Sequence, residues 1–168
     1  MENSQRKIVV CLLGLGMSSI AFAGLDSACM PVIKASETRA AAPMWESVTV
    51  ISPSNFKMEA MKVGGQFYSR TTGAKNWSKS PINLSEAELK SIAEIKAGKI
   101  KVSQCKTGAN ETIDGVVMQV LTYTVEMTGA PAAVSKLYIG KSDGLPYAQT
   151  SAHVKTRFRY TGITAPKL

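Results

Sequence analysis

Between residues 44 and 162 apolar and polar side chains alternate at a period of two, broken by short glycine, proline and serine clusters, and this pattern predicts strands. Residues 46–51, 56–63 and 66–70 are rich in valine, threonine, methionine and aromatics, and are separated by Ser52-Pro53-Ser54-Asn55 and Gly64-Gly65. The glycine pair suits a tight hairpin, so the second and third strands should be antiparallel neighbours. Strand texture returns at residues 100–106, 115–127, 133–141, 147–154 and 155–162, with Gly129-Ala-Pro131 and Asp143-Gly144 as turns. Two segments follow the helical period instead. Residues 31–42 are alanine-rich and open on Pro31, a residue tolerated in a first helical turn. Ser85-Glu-Ala-Glu88 reads as a capping box that starts a second helix, with Leu89, Ile92, Ala93 and Ile95 as its apolar stripe and Gly98 as its stop.

The long run at 115–127 is apolar on both faces at one end. Leu121, Tyr123 and Val125 share one face with Val117 and Met127, while Val116, Met118 and Val120 occupy the other. A sheet with a solvated back reads apolar on one side only. Something should therefore cover both sides there, a helix on one and a second helix, a ligand or a partner on the other. The expected fold is α+β, a strongly curved antiparallel sheet forming an unclosed barrel, with one or two helices against its concave side.

The N-terminal segment has the layout of a secretory signal. Arg6 and Lys7 precede the apolar run 8–17, and Ala21-Phe22-Ala23 supplies a small-x-small cleavage site. Ser18 and Ser19 end that run well short of the roughly 20 apolar residues of a spanning helix. Residues 1–23 are expected to be a cleaved signal peptide and residues 24–168 a single exported domain, with the periplasm as its compartment. At 168 residues, 45% hydrophobic and 19% charged, the composition fits one folded unit. One histidine and three cysteines exclude a histidine-rich metal site or a multi-cysteine zinc cluster, and no cofactor is expected. With Cys11 in the signal, Cys29 and Cys105 form an even pair in an oxidising compartment, and one disulfide is the expectation, two free buried thiols the alternative.

The net charge of +8 would suggest nucleic acid in a cytosolic protein. Export redirects it toward anionic lipid headgroups, envelope polymers or acidic envelope proteins. Lys155, Arg157 and Arg159 alternate with Thr156, Phe158 and Tyr160, which makes a basic strand face. It reads either as a solvated surface or as a partner-docking strip.

The order of features resembles the exported bacterial proteins of the LolA-like outer-membrane lipoprotein-sorting superfamily. An early cysteine and helix are followed by Tyr68-Ser69-Arg70, Gly73 and Trp77, then Cys105-Lys-Thr-Gly108, Glu111-Thr-Ile-Asp-Gly115 and a long strand. The close, Leu137-Tyr-Ile-Gly-Lys-Ser-Asp-Gly-Leu-Pro-Tyr147 and then Arg157-Phe-Arg-Tyr-Thr-Gly-Ile-Thr-Ala-Pro166, is similar to that superfamily's C-terminal pattern. The resemblance implies an unclosed antiparallel barrel with helices as a lid and a hydrophobic cavity that accepts acyl chains. No acyl-site or receptor-docking motif carries over residue by residue. The expected function is a non-catalytic periplasmic protein that binds a lipid or other hydrophobic molecule. The alternative is an adaptor that docks to an anionic envelope partner through its basic face. Trp45, Tyr68, Trp77, Met118, Leu121, Tyr123, Tyr138 and Phe158 are the candidate lining residues.

Catalysis finds little support in the residues. His153 is the single imidazole, read as lying on one strand face with Gln149, Ser151 and Lys155, where neighbours do not meet as a nucleophile and base. Asp114 and Asp143 each precede glycine, which is turn chemistry.

Overall fold

The computed structural model describes residues 25–168, so the expected signal at 1–23, with Cys11 and the cleavage point after Ala23, lies outside the described residues. A 3-10 turn at Ser27–Cys29 leads into helix α1, Met30–Ala41. Strands β1 Trp45–Ile51, β2 Phe56–Val63, β3 Gln66–Thr71 and β4 Ser78–Lys79 follow, then helix α2, Leu84–Lys96. The remainder is β5 Ile100–Thr107, β6 Glu111–Ile113, β7 Val116–Met127, β8 Ala133–Gly140, β9 Pro146–Ser151 and β10 Val154–Arg159. All ten strands belong to one antiparallel sheet in the order β4-β3-β2-β1-β10-β9-β8-β7-β5, with β6 also on β7. The sheet is not closed into a barrel. Its centre is the pairing of β1 with β10, from Glu46 opposite Arg159 to Ile51 opposite Val154.

The sequence pattern locates these elements closely, and the differences have physical reasons. Gly64 and Gly65 take φ of 58° and 78°, the left-handed pair that a two-residue hairpin between β2 and β3 requires. The capping box does not form. Asn83 caps α2 by accepting the Glu86 amide at 3.1 Å, while the Ser85 hydroxyl is buried with no partner and Glu88 turns instead to Arg39 of α1. A tertiary charge pair thus wins over a local one. The stripe on α2 is also rotated from expectation. Ile92 is buried, but Leu89 is 50% exposed, and Leu84, Glu88, Ser91, Ile92 and Ile95 form the inward face. β4 and β6, at two and three residues, are too short to leave a period.

The main core lies between α1 and one half of the sheet. Cys29, Val32 and Ala35 pack on Val102, Leu121, Tyr123, Leu137 and Ile139. The expected disulfide is present, Cys29 to Cys105 with Cα atoms 5.2 Å apart, and it pins the start of α1 to β5. On the other face of β7, Met118 is fully buried and Val120 is 4% exposed; on the Leu121 face, Val117 and Met127 at the strand ends are about half exposed. The protein's own atoms provide that burial, so the two-sided apolar run calls for no ligand or partner.

The face of the sheet away from the helices carries a charge cluster, in which Lys57 and Arg70 lie 2.8 and 2.5 Å from the Glu59 carboxylate. Burial raises this carboxyl, but the hydrogen bonds and charges of the two cations outweigh it and hold it below the usual glutamate range. A depressed carboxylate adds stability that is complete above the pKa of an unfolded glutamate and drains away as the pH falls through its own lower value. Glu59→Gln should therefore lose less stability than the wild type between neutral and strongly acidic pH, as followed by urea unfolding; parallel pH profiles would refute this. For the disulfide, a separation of 76 residues corresponds to roughly 4–5 kcal/mol in chain-entropy accounting. The Cys29→Ser/Cys105→Ser protein is expected to lose about 2–4 kcal/mol in the same assay.

Candidate functional site

α1 and α2 pack against each other and leave part of the concave face uncovered. Between them and strands β1, β2, β3, β9 and β10 runs an open groove of about 670 Å³. Its floor is built from small residues at registered positions. Ser47 of β1 sits between Ala60 of β2 and Phe158 of β10, Ala60 is opposite Ser69 of β3, and Thr49 lies between Met58 and Thr156. At equivalent positions in the other half of the sheet, β7 and β8 place Leu121 opposite Leu137. Large side chains there meet α1 directly; serine, threonine and alanine here do not reach α2, and the missing volume is the groove.

On the floor, the Thr49 and Thr156 hydroxyls bond each other at 3.0 Å, and the Gln149 side chain donates at 3.0 Å to Tyr123 of the adjoining core, so these polar groups already have partners. Burial pushes the Tyr123 phenol up to about 12, which keeps it neutral. One end is closed by Arg39. Its guanidinium meets Glu88 at 2.6 Å and lies 4.5 Å over the Phe158 ring, with the Trp45 ring 5.8 Å away. Burial raises the Glu88 carboxyl above the ordinary range even with Arg39 beside it. At the other end the floor runs out beyond the helices. Ile51, Phe56, Met58 and Val154 form a registered apolar lip, 36%, 40%, 41% and 37% exposed.

Of the eight candidate lining residues, the structure brings Trp45 and Phe158 together in the groove wall. Leu121 and Tyr123 face the same side of the sheet but are sealed under α1, so Leu121→Arg would report on folding and not on binding. Tyr68 and Trp77 belong to a separate cluster with Met61 and Ile163, where Arg70 stacks 4.8 Å over the Trp77 ring. Met118 and Tyr138 lie on the convex face, on which Tyr138 neighbours Val120 and Ala148. Sequence reasoning missed Ser47, Thr49, Ser69 and Thr156. Each is a polar residue on a strand, and nothing in the local pattern marks it as inward-facing.

Lys155, Arg157 and Arg159 do share the convex face, but Arg159 is held by Glu46. His153 is not on a strand. It is exposed in the turn between β9 and β10, its carbonyl accepting from the Ser52 amide at 2.8 Å. The turn breaks the alternation, so Gln149 and Ser151 face the concave side while Lys155 faces the convex one. Among the described residues no three metal-ligating side chains come together, and no helix is long and apolar enough to cross a membrane.

No protein-family profile and no curated protein matches the chain in sequence. Solved structures do match in shape. The lipoprotein LppX of Mycobacterium tuberculosis has 8% identity and a TM-score of 0.51, over 82% of this chain and 97% of that one. MucB has 14% identity and a TM-score of 0.46, over 82% and 60% of the two chains. The Pseudomonas aeruginosa MucA/MucB complex gives 13% identity and a TM-score of 0.43, over 83% and 59%. The likeness to LppX is one of fold, and it agrees with the LolA-like architecture implied by the sequence; nothing below rests on the other two.

Arg39→Ala would leave the half-buried Glu88 carboxylate unpaired and uncover the Phe158 ring. The expected loss is roughly 2–3 kcal/mol in urea unfolding, somewhat below that of a fully buried pair. Adding Glu88→Gln should recover part of it, and a purely additive double variant would show that the pair does not couple α1 to α2.

Proposed function

We propose that the protein is a non-catalytic periplasmic binding protein that holds the acyl chain of a lipid, or another elongated hydrophobic molecule, in the groove beneath α2. The observation that carries this reading is the groove itself, a volume of about 670 Å³ roofed in part by Leu84, Ile92 and Ile95, with exposed apolar side chains at one end of its floor. That volume falls within the roughly 300–1,000 Å³ of small-molecule sites. The floor from Trp45 to Ile51 follows one strand for about 20 Å, a shape suited to a chain and not to a compact ring. Met58 at the mouth supplies an adaptable surface. Burying ten methylenes contributes about 8 kcal/mol before ordering and association costs are subtracted, so micromolar or weaker affinity is expected. The signal expected at residues 1–23 and the fold shared with a mycobacterial lipoprotein support an envelope location.

Filling the groove tests the reading. Ser69→Phe with Met58→Trp places bulk on the floor at β3 and β2 without touching the α1 core. Uptake of a fluorescent fatty acid should fall at least about tenfold, or 1.4 kcal/mol, while thermal unfolding changes little. Native mass spectrometry of the wild-type protein should show a co-purified lipid that the double variant lacks. A wild type that takes up no fatty acid, or a filled variant that takes it up equally well, would sink the proposal.

A further inference from the structure

The convex face carries a feature that the groove does not explain. Lys57 of β2 sits beside Val50 of β1, and Val50 beside Lys155 of β10. Lys155 is beside Thr150 of β9, and Thr150 beside Lys136 of β8. Lys136 is beside Thr122 of β7, and Thr122 beside Lys106 of β5. One registered row thus crosses seven strands with a lysine on every second strand. Neighbouring lysines are about 9.5 Å apart and the row is roughly 29 Å long, from a strand spacing near 4.8 Å.

All four lysines are exposed, as is Arg157, two residues from Lys155 on the same face. Among the described residues Lys106, Lys136, Lys155 and Arg157 have no carboxylate within ion-pair distance, and Glu59, the acid beside Lys57, is shared with Arg70. The spacing is close to the roughly 8 Å Debye length at physiological salt, so the fields of adjacent lysines overlap into one cationic track. The regularity comes from sheet register and is invisible along the sequence, where these residues are scattered from position 57 to 155.

We infer that this row is a binding track for a flexible linear polyanion whose charges are phosphate groups. Three observations select that occupant. The row runs across the strands, around the outside of a curved sheet, so a flat bilayer touches its crest alone, whereas a flexible chain follows it from end to end. The residues between the lysines are Val50, Thr150 and Thr122, with no exposed ring on which a base or sugar could stack. The cations of the row itself are lysines, which engage phosphate as point charges and need no fixed fork geometry, with Arg157 beside them able to grip a phosphate through its guanidinium fork.

Long-chain polyphosphate is the probe, with binding followed by titration calorimetry at several salt concentrations. The wild type should bind with a steep salt dependence corresponding to about three or four phosphates. Lys106→Glu/Lys136→Glu/Lys155→Glu should weaken binding at least about tenfold and flatten that slope. Lys34→Glu/Lys90→Glu/Lys99→Glu makes the same change in net charge at exposed positions on or just after the helices, and should retain affinity within about twofold. Lys106→Gln/Lys136→Gln/Lys155→Gln removes the charges without adding repulsion and should lose affinity with unchanged thermal unfolding. Fatty-acid uptake should be intact in every one of these variants, because the groove is on the opposite face. Equal losses in the two glutamate triples would reduce the effect to net charge and overturn the inference. So would displacement of the polymer by an equal concentration of inorganic phosphate, or tighter binding of phosphatidylglycerol vesicles through the same three lysines.

Discussion

Two helices cannot cover this sheet. Nine strands side by side would span roughly 38 Å if flat, while a helix pair is about 20–24 Å across, so the sheet must bend around the helices or leave apolar floor uncovered. It does both. The disulfide and the Leu121 and Leu137 core commit α1 to the β5, β7 and β8 half, and the other half keeps a gap under α2. The groove is therefore what remains when a curved surface is wider than its cover, and its shape is tuned by the small residues at Ser47, Thr49, Ala60 and Ser69.

The two helices are attached in different ways. α1 buries Val32, Ile33, Ala35 and Ala40 and is covalently tied. α2 fully buries Ile92, packs the half-buried Ile95 and Leu84 against the core clusters, and adds two charged contacts to α1, Arg39 with Glu88 and Glu37 with Lys96. Exposed pairs of the second kind contribute little. An element with few fully buried apolar residues lies toward the low-stability end of a structure, so α2 is the less firmly seated of the two helices.

Much of the fold was legible in the sequence. The period-two runs gave eight of the ten strands to within a residue or a few, the Gly64-Gly65 hairpin was correct, and compartment chemistry gave the Cys29–Cys105 bond. The site was not legible, for a reason that lies in topology. Which face of β1 is concave depends on β1 lying between β2 and β10, and no local pattern states that pairing. Without it, aromatic residues were the natural candidates for a lining, and Tyr68 and Trp77 instead pack on the far side. The serines and threonines of the floor look like solvated positions until the helices are placed above them. The same holds for Glu88, whose local partner in the capping pattern was displaced by an arginine 49 residues away.

The central seam joins residues separated by as many as 113 positions, Glu46 and Arg159 among them. Until β10 has been synthesised, the first four strands have no neighbour on one side, and β1 presents an open row of amides and carbonyls. Such long-range closure is slow to form. Closure of the sheet therefore waits on β10, and the row of amides and carbonyls along β1 stays unpaired on that side until the seam zips. The order of the strands sets the order of assembly, with the two halves able to collapse on their own hairpins before the seam joins them.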